Sequence, residues 1–227
     1  MANNTIEFAV TGRYALFSDP VIAIGGEKLS YPLPTYEAIK GVVQSIYYKP
    51  TFMWIVDNVR IMNPIMTTRR GMKLHLYDSN KSDLAYYTYL VDVHYQVRAH
   101  FEWNLNHPEL VQDRNDNKHY FITQRALAHG GRRDIWLGTR DCQAYVTPCR
   151  FGEGKGAYDN TGNLAYGHVY HGITYADEAI NEEDKNNITV RFWDPILRDG
   201  VLTYPRPEQC TDKRIIKPGV VKQFGRS

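Results

Sequence analysis

Hydrophobic and polar residues alternate most regularly over residues 91–104. The apolar set is Val91, Val93, Tyr95, Val97, Ala99, Phe101 and Trp103, and the polar set is Asp92, His94, Gln96, Arg98, His100, Glu102 and Asn104. A period of two places the two sets on opposite faces of a β-strand. The pattern therefore predicts a long strand in a sheet that buries one face and that helices cover on one side only.

Shorter patterns predict the other elements before residue 148. Thr35 can cap a helix that Pro50 ends, and Asn115 or Asp116 can cap a second helix. The predicted elements are a strand over 5–10, a helix over 36–47, strands over 51–57 and 59–62, a second helix from about 116 and a strand over 143–146. This order is that of the ferredoxin-like fold, which RNA-recognition (RRM-like) domains share. We therefore predict an α+β chain with a ferredoxin-like domain over residues 1–148.

The composition changes after Pro148. Five glycines lie between residues 152 and 167, which is typical of a loop or boundary. Short strands are predicted over 168–175, 188–193 and 201–204. We therefore predict a small antiparallel β-sheet domain over residues 149–227.

The overall composition is that of a globular protein. Hydrophobic residues form 43% and charged residues 23% of the 227 residues, which argues against a disordered or fibrous chain. No run of about 18 apolar residues and no signal-peptide pattern are present, so we expect a cytoplasmic protein that does not bind membranes. Cys142, Cys149 and Cys210 are too few for a disulfide framework and lack the short spacing of zinc ligands. We expect them to be reduced and free of metal.

The net charge of +2 hides an uneven distribution. Residues 59–73 contain four basic residues and no acid, residues 111–140 contain six against three acids, and residues 205–227 contain six against two. Residues 177–184 contain five acids and no base. Basic clusters are the footprint of a polyanion such as a nucleic acid, although solvated faces also cluster charge. The sequence leaves open which basic segments meet RNA and which meet protein.

Seven short motifs, in order along the chain, resemble those of one known family. They are YALFSDP (14–20), GGEKLSY (25–31), PTY (34–36), SIYYKP (45–50), DVHYQV (92–97), NKHY (117–120) and GGRRD (130–134). Together they resemble the CRISPR-associated endoribonucleases of type I-C systems, the catalytic subtype d (also called c) of the fifth Cas family within the RAMP superfamily. The resemblance runs from about residue 5 to about residue 217.

The resemblance implies an activity and a set of partners. The expected activity is cleavage of CRISPR repeat transcripts at the base of the repeat hairpin, without a metal ion or other cofactor, to leave a cyclic phosphate. The expected partners are the repeat RNA, the mature guide RNA, and the backbone and large subunits of the type I-C surveillance complex (Cascade). Weak DNA binding is a further expectation.

The resemblance also implies three catalytic residues, Tyr47, Lys118 and His119. Tyr48 directly follows Tyr47 and is the alternative position for the tyrosine. Cleavage by the RNA 2′-hydroxyl needs a base, a cation for the phosphorane and an acid for the leaving oxygen. Lys118 suits the phosphorane, because it is cationic at pH 7 and lies at a helix N-terminus. Tyr47 and His119 remain alternatives for the base.

Four further residues are candidates for RNA binding. Gly130 and Gly131 allow close approach of a backbone, and Arg132 and Arg133 can bind phosphates or bases. The alternative is a helix C-cap followed by two solvated arginines.

Two other functions stay open. The first is a non-catalytic subunit that holds the guide RNA 5′ handle while a separate ribonuclease cuts. The second, metal-dependent DNA cleavage, lacks a carboxylate cluster with suitable spacing.

Overall fold

The computed structural model describes residues 4–18, 27–75 and 82–219. Parts of the first two motifs, residues 19–20 and 25–26, and the basic tail residues Lys222 and Arg226 lie outside these ranges. The helices are α1 (Tyr36–Ile46) and α2 (Asp116–Ala128). The strands are β1 (Thr5–Ala15), β2 (Lys28–Leu29), β3 (Phe52–Ile61), β4 (Met66–His75), β5 (Ser82–Trp103), β6 (Ile135–Trp136), β7 (Gln143–Pro148), β8 (Asn163–Ala165), β9 (Val169–Thr174), β10 (Asn187–Trp193), β11 (Ile196–Arg198), β12 (Val201–Thr203) and β13 (Asp212–Pro218). The predicted α+β class is confirmed.

Ten of these strands form one sheet. Its order is β6-β7-β1-β5-β3-β12-β11-β8, and β2 and β4 also pair with β5. The described pairings are antiparallel except the short parallel pairing of β2 with β5. A separate three-stranded sheet has the order β13-β10-β9.

The long strand β5 is the centre of the main sheet. The strand predicted over 91–104 is confirmed, and it begins nine residues earlier, at Ser82. Its first part pairs with β4, and its second part lies between β1 and β3. Val93, Tyr95, Val97, Ala99 and Phe101 are buried, as the alternation predicts.

The strand β3 corrects one detail of the prediction. Two strands were expected, over 51–57 and 59–62, but one strand continues through both segments. A shift of register between Val56 and Asn58 accommodates the extra residue, and this bulge accounts for the break in the hydrophobic pattern.

Helix α1 buries an apolar stripe in the core of the main sheet, whereas α2 buries a mixed face of His119, Thr123, Ala126 and Leu127. The Thr35 side chain accepts a hydrogen bond from the backbone N–H of Ala38 and caps α1. Asn115 caps α2 in the same way through the N–H of Lys118. Both predicted helices are therefore confirmed. Within the described residues, neither helix is long and apolar enough to span a bilayer.

The segment beyond residue 149 contributes to both sheets. Strands β8, β11 and β12 extend the main sheet from the outer edge of β3, whereas β9, β10 and β13 form the smaller sheet. The Gly-rich segment covers part of the polar face of β5, because Gln96 donates to the carbonyl of Glu153 and accepts from the N–H of Gly152. The division of the chain at residue 149 stays a prediction.

Candidate active site

Tyr47 lies where α1 ends. Its extended backbone (φ −159°, ψ 130°) terminates the helix three residues before Pro50. The indole of Trp54 donates a hydrogen bond of 2.7 Å to the Tyr47 carbonyl and fixes the backbone there. Tyr47 is only 1% exposed, so its phenol points into the protein.

The Tyr47 hydroxyl is hydrogen-bonded to His119. The oxygen lies 2.9 Å from Nδ1 of the imidazole, and the other ring nitrogen, Nε2, lies 2.7 Å from the backbone carbonyl of Asp113. A carbonyl only accepts, so in the neutral ring Nε2 carries the hydrogen and Nδ1 accepts from Tyr47. The geometry therefore selects one tautomer of His119 and gives the tyrosine hydroxyl an acceptor for its proton.

Aromatic rings surround the imidazole. The ring centroids of Phe52, Trp103 and Phe101 lie 5.1, 5.8 and 6.4 Å from that of His119. The His119 side chain has no exposed surface. Solvent therefore does not compete for either ring nitrogen.

Asp113 joins Lys118 to this pair. It ends a 3-10 helix (Pro108–Asp113), and its carboxylate forms an ion pair with the Lys118 ammonium. The Thr51 hydroxyl donates a hydrogen bond of 2.8 Å to the same carboxylate. Burial alone raises the pKa of Asp113, but the hydrogen bonds from Lys118 and Thr51 outweigh it, so the pKa lies below its usual value.

Asp113 and Thr51 were not among the residues predicted from the sequence. Neither belongs to the quoted motifs, and the available signal was an acid five residues before Lys118, near the start of α2.

The loop after α2 approaches Tyr47 from the other side. Gly130 (φ 82°) and Gly131 (φ 100°) end the helix in left-handed conformations, with N–H groups bonded to carbonyls of the last turn. The backbone N–H groups of Arg132 and Arg133 then donate to the carbonyl of Ser45 in α1. The two glycines therefore form the C-terminal end of α2, and RNA binding by residues 130–133 stays a prediction.

Arg132 completes the cluster. Its guanidinium lies 4.6 Å from the centroid of the Tyr47 ring, a cation–π distance. Burial raises the pKa of Tyr47, and the positive charge of Arg132 opposes that increase. Tyr47, Asp113, Lys118, His119 and Arg132 form what we call the Tyr47 site.

The alternative tyrosine, Tyr48, lies in different surroundings. It is 44% exposed and lines a surface cavity together with Lys40 and Glu178. Burial and the nearby acids Glu178 and Asp177 raise its pKa.

The part of the chain that the structure describes contains no evident metal site. In residues 4–18, 27–75 and 82–219, no group of three or more histidine, cysteine or carboxylate side chains is placed to hold a metal ion.

Solved structures with this fold define the class of protein. A crystal structure described as that of a CRISPR-associated protein is 30% identical, covers 92% of this chain and 96% of its own, and superposes with a TM-score of 0.74. A functionally uncharacterized protein from Streptococcus mutans is 29% identical over the same shares, with a TM-score of 0.75. The fold is that of a CRISPR-associated protein.

Sequence comparison identifies the family within that class. The Cas5d family model, described as "CRISPR-associated protein (Cas_Cas5)", matches residues 5–205. The chain belongs to the Cas5d family of CRISPR-associated proteins, which confirms the resemblance seen in its motifs.

Two curated relatives carry the name CRISPR pre-crRNA endoribonuclease Cas5d. The one from Mannheimia succiniciproducens is 32% identical over 62 residues, 27% of each chain. The one from Thermus thermophilus is 27% identical over 158 residues, 63% of each chain. The matched segments thus span less than two thirds of either relative.

Proposed function

We propose that this chain is a pre-crRNA endoribonuclease. It cleaves CRISPR repeat transcripts at the base of the repeat hairpin without a metal ion and then retains the guide RNA 5′ handle as a subunit of the type I-C surveillance complex. The observation that carries the proposal is the hydrogen bond between the Tyr47 hydroxyl and Nδ1 of His119, with the Lys118 ammonium on the neighbouring Asp113. The names of the two curated relatives support it.

The proposed chemistry uses the nucleophile that RNA supplies. Tyr47 passes its proton to Nδ1 of His119, and the phenolate then takes the proton of the 2′-hydroxyl. The 2′-oxygen attacks the adjacent phosphorus, the bond to the 5′-oxygen breaks, and a 2′,3′-cyclic phosphate forms. The imidazolium returns its proton through Tyr47 to the leaving 5′-oxygen. This chemistry makes Tyr47 the group that faces the substrate and His119 the group behind it.

Two cations complete the mechanism. Lys118, whose side chain is 49% exposed, can turn to the phosphorane oxygens. Arg132 is exposed and offers a bidentate donor pair to a phosphate. Arg133, also exposed, extends this phosphate contact, and Gly130 and Gly131 keep the loop backbone open to the RNA.

Access to Tyr47 requires a side-chain movement. Tyr47 is 1% exposed, and the guanidinium of Arg132 stands over its ring. In our proposal an RNA phosphate draws Arg132 away from the ring, and a local movement of the loop after α2 then gives the RNA access to the hydroxyl.

The fold supports the same class of function. The central strands follow the order β7-β1-β5-β3, with α1 after β1 and α2 after β5, and we propose that this unit is a ferredoxin-like RAMP domain. Domains with this arrangement commonly bind RNA on their sheet or loops. The backbone and large subunits of the complex are the proposed protein partners, and weak DNA binding is proposed through the basic segments.

The test is incubation of the purified protein with its own repeat RNA in excess EDTA. We expect one cut and a cyclic phosphate on the 5′ product. Lys118→Ala and His119→Ala should abolish the cut while largely preserving RNA binding in a mobility-shift assay. RNA that is bound but stays intact would refute the enzymatic activity, and full activity of both variants would refute the site.

The burial of the Tyr47 site favours one alternative function, that of a subunit that binds RNA without cutting it. Tyr47 and His119 are almost inaccessible, as expected for residues that only stabilise the fold. On that alternative the chain binds the guide RNA 5′ handle without cutting, and the same assay would give binding without cleavage.

A further inference from the structure

Asp113 contacts both of the candidate catalytic residues of α2, Lys118 and His119. Its backbone carbonyl accepts the hydrogen bond from Nε2 of His119, and its carboxylate pairs with Lys118. The carboxylate oxygen Oδ2 also lies 3.5 Å from Nε2 of His119. One residue thus sets the orientation of the imidazole and the location of the ammonium.

The two residues that the Asp113 carboxylate approaches, Lys118 and His119, differ in how much of their side chains is exposed. The Lys118 side chain is 49% exposed, whereas His119 has no exposed surface. The Asp113 side chain is 25% exposed and is anchored from below by the hydroxyl of the buried Thr51. An RNA phosphate can therefore compete for Lys118, while the carboxylate stays in place beside His119.

We propose that Asp113 is a positioning residue for RNA cleavage: its carbonyl fixes the tautomer of His119, and its carboxylate releases Lys118 to the RNA phosphate and then stabilises the imidazolium. The inference rests on the proposed endoribonuclease function. The Asp113 carboxylate would thus face a cation throughout, first the Lys118 ammonium and then, once Lys118 has moved to the RNA, the imidazolium of His119.

The partner of the Asp113 carboxylate changes when RNA binds. Before RNA binds, the Asp113 charge is neutralised by Lys118. When the ammonium moves to the phosphate, the carboxylate faces Nε2–H of His119, and the ring gains a proton at Nδ1 from Tyr47. The Asp113 carboxylate of the 3-10 helix lies 3.5 Å from Nε2 of His119, whereas Lys118 of α2 contacts Asp113 and Arg132 of the following loop contacts the Tyr47 ring. Asp113 is the anion among these three, so its charge favours the transfer.

The test compares Asp113→Asn with a variant of equal charge change. The asparagine keeps the backbone carbonyl and an oxygen for Thr51, but it removes the negative charge. Asp116→Asn removes one negative charge from the first turn of α2 and is the matched control. Single-turnover cleavage of repeat RNA, RNA affinity and thermal unfolding are measured for wild type and both variants across pH 5 to 9.

We expect Asp113→Asn to cleave about 3- to 10-fold more slowly, because the imidazolium loses the anion beside it. The acidic limb of the pH–rate profile should move to lower pH, because the variant lacks the negative charge that stabilises the protonated site. RNA affinity should stay within about twofold or increase, because a negative charge leaves the RNA-binding side. Asp116→Asn should keep the wild-type rate and pH profile.

The outcomes separate the two levels of the hypothesis. Cleavage by wild type with an unchanged rate and profile in Asp113→Asn would overturn the role of Asp113 alone. Equal losses of rate, affinity and thermal stability would show a structural role and overturn it as well. Wild type that binds but never cuts would overturn both proposals. If Asp113→Asn does not fold, Thr51→Val loosens the carboxylate without a charge change, and an unaltered cleavage rate in it would overturn the role.

Discussion

Replacing Tyr47 with phenylalanine removes one hydroxyl from the site and keeps the ring. The ring contacts with Phe52 at 5.7 Å and with Arg132 at 4.6 Å are retained. The change leaves Nδ1 of His119 as a buried acceptor without its donor, which costs about 1 to 3 kcal/mol. For a chain of this size, a loss of about 2 kcal/mol lowers the melting temperature by roughly 4 to 8 °C.

The same variant should lose most of its cleavage activity. If the hydroxyl takes the proton from the RNA, its loss slows the reaction by about 10²- to 10⁴-fold. Tyr48→Phe is the matched control, because it removes the same group from the neighbouring, exposed tyrosine. It should lower the free energy of unfolding by less than about 0.5 kcal/mol. Thermal unfolding and single-turnover cleavage of repeat RNA measure both effects. Loss of cleavage in Tyr48→Phe, with Tyr47→Phe active, would refute the assignment of the tyrosine role.

Three further predictions concern stability. Burial lowers the pKa of His171 to about 4, so the unfolded chain binds a proton that the folded chain excludes. The free energy of unfolding is therefore unaffected by His171 above about pH 6.5 and falls by up to about 3 kcal/mol as the pH drops to 4. In urea unfolding, His171→Phe should make the free energy of unfolding depend less on pH, and an equally steep curve would contradict this prediction. Arg191→Met leaves Asp184 buried without its cation and should lower the free energy of unfolding in urea by about 3 to 5 kcal/mol. Replacing both residues by apolar ones should lower it much less, because no unpaired charge is then buried. Gly138→Ala should lower the melting temperature strongly, because a Cβ would lie 2.0 Å from the carbonyl oxygen of Leu16; unchanged melting would show that the loop relaxes.

Local patterns predicted those elements whose signals are local. The cap at Thr35, the apolar stripe and Pro50 together bounded α1 to within one residue. The alternation in β5 predicted its buried face, but residues 82–90 were missed because apolar side chains occupy both faces there: Leu84 and Tyr86 are exposed, whereas the neighbours Tyr89 and Leu90 are both buried. A period of two identifies a strand only where one face is buried and the other is exposed.

Pairing between distant segments could not be predicted in the same way. Strands β8, β11 and β12 have three residues each, and so short a segment does not specify whether it joins the main sheet or the small one. Their pairing with one another and with β3 depends on how the chain folds back over the core. The prediction over 201–204 therefore gave the strand character of β12 and not its sheet, and β8 and β11 were not predicted as strands.

The Tyr47 site shows the same limit. Lys118 and His119 are neighbours in sequence, yet one side chain is half exposed and the other is fully buried, because successive residues of a helix point about 100° apart. The resemblance supplied both residues, but the acceptor of the imidazole N–H is a backbone carbonyl. A carbonyl has no residue signature, so that contact of Asp113 could only be found in the structure.

The position of β12 has a consequence for how the protein is made. Residues 58–60 on the outer edge of β3 pair with residues 201–203 of β12, so this edge has no native partner until residue 203 has left the ribosome. At usual rates of synthesis this interval is on the order of ten seconds. Throughout it the backbone N–H and C=O groups of residues 58–60 that face β12 lack their native partners, which leaves an edge that can pair with another chain. Slower translation beyond residue 61 is therefore expected to lower the yield of folded protein.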